Sequence, residues 1–262
     1  MIFRYLFLLA LTVFFSSEAL AAEWQERKTE HFIVYYKKAP ARFIGNVLLR
    51  AEENYRRTTT TLGFTRYKGW SWNGRVKIYI YDDAQDYKSA SGNDWAAGSV
   101  MTRFKEIRTY PAAYGFFEAT LPHETGHIIF RDFIGPDAVV PLWFEEGVAM
   151  YQEESGRREA DEEARKALRE GRFIALPDLM RLELNRDSDR ELVRIFYVEA
   201  ASLVSFLIND GEVYRFARLC RELKDRVPFD GALKKSYMKY PGIEMLEAAW
   251  KGYLIHEKKE RH

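Results

Sequence analysis

The chain has 262 residues, 47% of them apolar and 15% aromatic, which is enough for one sizeable core and excludes a disordered or fibrous protein. Its 40 Lys and Arg against 39 Asp and Glu leave a net charge of +1, so no overall field directs it to nucleic acid or anionic lipid. The single cysteine, Cys220, cannot close an internal disulfide, and its helical spacing in EVYRFARLCREL marks it as a packing residue.

The first 22 residues, MIFRYLFLLALTVFFSSEALAA, set Arg4 before an apolar run from Tyr5 to Phe15 and small residues at Ala19 and Ala21. This is the layout expected of a secretory signal peptide cut after Ala21 or Ala22, and the run is short for a ~30 Å hydrocarbon core. The mature chain is therefore expected in the periplasm or outside the cell, without a membrane span of its own.

From Glu23 the pattern mixes strands and helices. HFIVYY (31–36) reads as a strand. ARFIGNVLLRAEENYRRTTTTLGF reads as a helix through Phe43, Ile44, Val47, Leu48, Ala51 and Tyr55, stopped by Gly63. RVKIYIYD (75–82) alternates as a strand, followed by a short helix near AQDYKSAS. WAAGSVMT and EIRTYP read as two more strands, the first at a sheet edge, where Gly98 suits close backbone approach. After Tyr110 the pattern turns helical: a helix carries LPHETGHIIF (121–130), and another runs from about Pro141 to Glu154. ESGRREADEEARKALREGR reads as a solvated helix face. LPDLMRL follows, then helices through ELVRIFYVEAASLVSFLIND, EVYRFARLCREL and GIEMLEAAWKGYLI, with NRDSDRE as an exposed loop and HEKKERH as a frayed tail. The expected fold is α+β in one domain over 23–262, with a strand-rich lobe at about 23–135 and a helical lobe at about 136–257.

His123 and His127 are four apart, so on a helix both imidazoles face one ion, and Glu124 can reach a water on that ion without binding it. A catalytic zinc needs a third protein ligand and an open position. Phe130 and Phe133 stand where a third-histidine pattern requires Gly and His, so that pattern is excluded; His31, His256 and His262 are distant in sequence. PLWFEEGVAMYQE (141–153) offers two carboxylates, Glu145 and Glu146, on a second helix, with Gly147 allowing the two backbones to approach. Pro122 interrupts helical hydrogen bonding just before the first imidazole, so the helix is expected to start there, with Thr120 as N-cap, or to kink. Gly126 is expected to be a close-packing site.

H-E-x-x-H, eighteen residues, then Glu146 in a W-F-x-E-G-x-A frame resembles the gluzincin metallopeptidases, with the spacing of the aminopeptidase-N type. The wider chain, from TEHFIVYY through VKIYIYD and WAAGSVM to YVEAASLVSFLIND, is similar to the smaller peptidase-MA-like branch. The resemblance implies a thermolysin-like catalytic domain, one Zn2+ held by His123, His127 and Glu146, and Glu124 as general base in hydrolysis of peptide or protein substrates. On that reading Glu145 caps or solvates its helix start. It also suggests Tyr197 as oxyanion donor, against a role as a core tyrosine beside Phe196, Leu203 and Phe206; Tyr151 and Tyr114 are weaker alternatives. Substrate would pair with the AAGSVM edge strand. The competing readings are an inactive zinc-binding module that holds peptides and a zinc hydrolase of a non-peptide bond.

Overall fold

The computed structural model describes residues 23–64, 74–91, 99–101, 105–185 and 187–256. The expected signal peptide, Gly98 and all but the first residue of the HEKKERH tail lie outside them. A five-stranded sheet has the order β1-β2-β3-β5-β4, built from β1 (Gln25–Lys28), β2 (Phe32–Tyr36), β3 (Val76–Ile80), β4 (Ser99–Met101) and β5 (Glu106–Thr109). The three central strands are parallel, and β1 and β4 close the edges antiparallel. Alternation sets which face is buried: Val34, Ile78 and Ile107 pair in one row across the sheet and all point into the core. β4 lies at an edge, as expected. β1 has no counterpart among the expected elements because QERK carries no apolar alternation, and all four residues are exposed. Backbone pairing to β2 forms it.

Helix α1 (Ala41–Thr61) lays Ile44, Val47, Ala51 and Tyr55 toward the core and ends at Gly63, whose φ of 70° only glycine adopts readily. After α2 (Ala84–Ser91) and the last strands, the chain is helical: α3 (Leu121–Ile134), α4 (Leu142–Met150), α5 (Glu154–Arg169), α6 (Leu176–Leu179), α7 (Arg190–Lys224), α8 (Phe229–Ser236) and α9 (Ile243–His256). The α+β expectation holds, with a small sheet leading into a helical remainder. Among the described residues no helix is long and apolar enough to cross a membrane.

Two segments differ from the periodicity. The helix expected from Pro141 to Glu154 ends at Met150, and the chain is extended at Glu153 (φ −73°, ψ 134°) before α5 begins. α5 is not wholly solvated: Ala160, Ala164 and Ala167 form a buried stripe where it packs on α7. The two helices expected either side of residue 211 are both there: within α7 they meet at a kink at Glu212, whose backbone is not helical (φ 58°, ψ 154°).

α4 lies between α3 and α7. Phe130 meets Phe144 edge-on at 5.6 Å, and Trp143 is fully buried beside it. Gly147 serves a different neighbour from the one expected. A Cβ there would stand 2.8 Å from the carbonyl carbon of Ala200, so the glycine brings α4 against α7. The α3–α4 approach is made by Gly126, where a Cβ would meet Ala149 Cα and Gln152 Cγ, each at 3.1 Å.

Candidate metal centre

The entry to α3 resolves the difficulty posed by Pro122. Gly115, at φ 69°, starts a single π turn over Phe116–Thr120, in which Thr120 N–H donates to the Gly115 carbonyl and Leu121 N–H to the Phe116 carbonyl. Thr120 is already helical (φ −60°, ψ −52°) and makes no side-chain cap, so the expected N-cap is not there. In a regular helix the proline ring would strike the carbonyl four residues back; the wider turn moves that carbonyl away, and the missing N–H falls in the first turn of α3. The helix therefore passes through Pro122 without breaking and carries His123 and His127 forward on one face.

Three candidate ligand atoms converge. His123 Nε2 and His127 Nε2 are 3.1 Å apart, and Glu146 Oε2 lies 3.7 Å from the first and 3.6 Å from the second. Ligands about 2.0–2.1 Å from a tetrahedral zinc stand roughly 3.3–3.4 Å from one another, so the triangle has the size such an ion requires. The nearest donor atoms of His123, Glu124 and His127 also fall within 4.8 Å of one another, which makes Glu124 a rival to Glu146 on distance alone. Glu146 approaches both Nε2 atoms from the facing helix, whereas Glu124 projects from the helix that already supplies both imidazoles.

A carboxylate lies behind each ring. His123 Nδ1 donates to Glu153 Oε1 at 2.7 Å, a bond that favours the neutral tautomer with hydrogen on Nδ1 over the one with hydrogen on Nε2. His127 Nδ1 lies 3.8 Å from Glu145 Oε1. Glu145 is largely buried rather than solvated, and its carboxylate is gripped by Arg131, whose Nε donates to Oε1 at 2.6 Å and whose Nη2 donates to Oε2. Neither Glu153 nor Arg131 figured in the sequence reading. Arg131 carried a signal, since positions 123, 127 and 131 share one helix face. Glu153 carried none, because a helix running through it would have aimed it elsewhere.

The electrostatics suit a cation and a base. Burial pushes the Glu124 carboxyl up, and the charges of Glu146 and Glu153 add to that against the two imidazoles, so its proton is held more tightly than in water. Burial also pushes Glu146 up, but His127 and His123 outweigh it and hold Glu146 below the ordinary carboxylate range. Burial disfavours a charged His123, yet its bond to Glu153 and the surrounding carboxylates leave it raised. Tyr197 packs against the core from α7 and stands edge-on to Phe196. Its hydroxyl is pushed up to about 12 by burial and then by the fields of Glu146, Glu124 and Glu153, so it keeps its proton at neutral pH. Tyr151 turns its ring to Arg157, and Tyr114 is 96% exposed. Of the other histidines, His31 is held by Glu52 at 2.7 Å and stacks on Tyr55. Phe130 is buried, and Phe133 stacks on Phe64, so the positions that exclude a third-histidine pattern belong to the core.

The family model described as peptidase MA superfamily matches residues 60–256, about three quarters of the chain, and takes in both helices of the centre. No curated protein matches the chain.

Proposed function

The chain belongs to the peptidase MA superfamily, and from that premise we propose that it is an exported zinc metallopeptidase of the gluzincin type, hydrolysing peptide bonds. The observation that carries the reading is the convergence of His123 Nε2, His127 Nε2 and Glu146 Oε2, with Glu124 beside them. His123, His127 and Glu146 would hold one Zn2+; when bound, the ion polarises the scissile carbonyl and lowers the pKa of a water molecule toward ~7. Glu124, half-buried and with its affinity for a proton raised, accepts a proton from the attacking water and passes it to the leaving amine. Tyr197 keeps its hydroxyl proton at neutral pH and donates to the oxygen that gains charge. An extended substrate would add to the sheet along β4, the edge strand, which supplies backbone groups to orient it.

The test pairs zinc content with cleavage of a mixed peptide library, for the mature protein and for Glu124→Gln. One zinc per chain in both, with cleavage confined to the wild type, is expected. Wild type that holds zinc and cuts nothing the Gln variant leaves intact removes the peptidase, and absence of zinc from both removes the metal. Export rests on residues 1–22 and is tested by N-terminal sequencing of protein recovered from outside the cytoplasm, which is expected to begin at Ala22 or Glu23.

A further inference from the structure

Two adjacent glutamates, Glu145 and Glu146, open the first turns of α4, and only one of them faces both imidazoles. We propose that Arg131 and Glu145 form a positioning pair that keeps a carboxylate on the Nδ1 side of His127 and withholds Glu145 from the metal, so that Arg131 determines which of the two carboxylates becomes the ligand. The inference rests on the metal reading above. Arg131 lies one turn beyond His127 on α3, and all three nitrogens of its guanidinium are engaged: Nε and Nη2 with the two oxygens of Glu145, and Nη1 with the Ala138 carbonyl at 2.8 Å. The third bond ties the pair to the α3–α4 loop, so the plane of the guanidinium, and with it the carboxylate, is fixed by backbone. Both side chains are more than three-quarters buried, where a two-pronged pair is stronger than a surface one.

Glu145 Oε1 stands on the Nδ1 side of His127, and this field favours the tautomer with hydrogen on Nδ1 and a free lone pair on Nε2. Arg131 supplies the charge that makes this safe. Glu124, Glu146 and Glu153 already crowd the centre, and a bare fourth carboxylate on the same turn as Glu146 would compete with it for the ion. The pair also walls a cavity of about 710 Å³, lined further by Lys105, Asp132 and Asp137. Lys105 is itself paired with Asp132 and does not replace Arg131.

Zinc affinity by chelator competition and the visible absorption of the Co2+-substituted protein, measured on wild type, Arg131→Gln, Glu145→Gln and the double variant, test the pair. Arg131→Gln is expected to weaken zinc about 10–100-fold and to change the cobalt spectrum, because the freed carboxylate perturbs the ligand set. Glu145→Gln should cost less, and the double variant should return to the affinity and spectrum of Glu145→Gln, since the arginine has no task without the charge it holds. Arg131→Lys, which keeps charge but not the two-pronged grip, should fall between wild type and Arg131→Gln and reports the effect if the Gln variant folds poorly. Equal zinc affinity and an unchanged cobalt spectrum across the variants overturn the pair. Wild type without zinc overturns the metal reading instead.

Discussion

Glu153 accepts a 2.7 Å hydrogen bond from Nδ1 of His123, thirty residues earlier in the chain, and it does so from an extended backbone between α4 and α5. The break in the helix is what aims it. A carboxylate behind a ligating imidazole fixes its tautomer and increases its basicity. Glu153→Ala is therefore expected to weaken zinc binding about 10–100-fold, as read by chelator competition, while Glu153→Gln, which keeps an acceptor, recovers part of the loss. Equal zinc affinity in both variants and wild type would show that the hydrogen bond has no bearing on the metal.

Tyr197→Phe removes a hydroxyl and leaves the ring against Phe196. If the hydroxyl meets developing charge, kcat falls by roughly 10²–10³ with little change in KM, the ratio expected for a single donor acting in the transition state. Steady-state kinetics on a peptide cleaved by the wild type provides the measurement. Unchanged kcat would return Tyr197 to the core.

Glu199 is a buried acid outside the centre. Both its oxygens accept from Ile174 N–H at 3.2 Å, yet burial pushes its carboxyl from 4.5 up to about 8. A folded pKa above the unfolded one means that the group favours the fold when protonated. That contribution is complete below about pH 4.5 and is lost as pH rises to about 8. Stability should decline across that window by a few kcal/mol, and Glu199→Gln should flatten the decline, as read from chemical denaturation at a series of pH values. A variant with the wild-type pH slope would assign the decline to other groups.

Two glycine substitutions should have opposite effects. Gly147→Ala drives a methyl into the backbone of Ala200 and should cost about 1–3 kcal/mol, with loss of zinc affinity because α4 carries Glu146. Gly45→Ala, on α1 with nothing within 4 Å of the added carbon, should stabilise by about 0.5–1 kcal/mol. Thermal melting of the two variants side by side checks both signs.

The elements that apolar spacing defines were legible in the sequence. Phe32, Val34, Val76 and Ile78 alternate because one face of the sheet is buried, and Ile44, Val47, Ala51 and Tyr55 recur because one face of α1 is. β1 was not, since its polar residues are held in place only by β2. At the centre, His123, Glu124, His127 and Glu146 stood out because metal chemistry restricts residue type and spacing together. Their supports did not. Glu153 depends on where a helix stops, and Gly147 depends on which neighbour its missing side chain admits, and both are settled by packing between segments distant in the chain.

The π turn before α3 holds one more residue than a regular turn would. Helical residues are about 100° apart around the axis, so this extra residue sets the rotational phase of everything downstream. Substitutions that preserve the turn leave the phase alone, but deletion of a single residue between Gly115 and Leu121 would swing both imidazoles about a quarter of a revolution, away from Glu146 and from each of the carboxylates behind them. The chemistry of this helix is thus keyed to a count of residues upstream of it, in a segment that supplies no ligand.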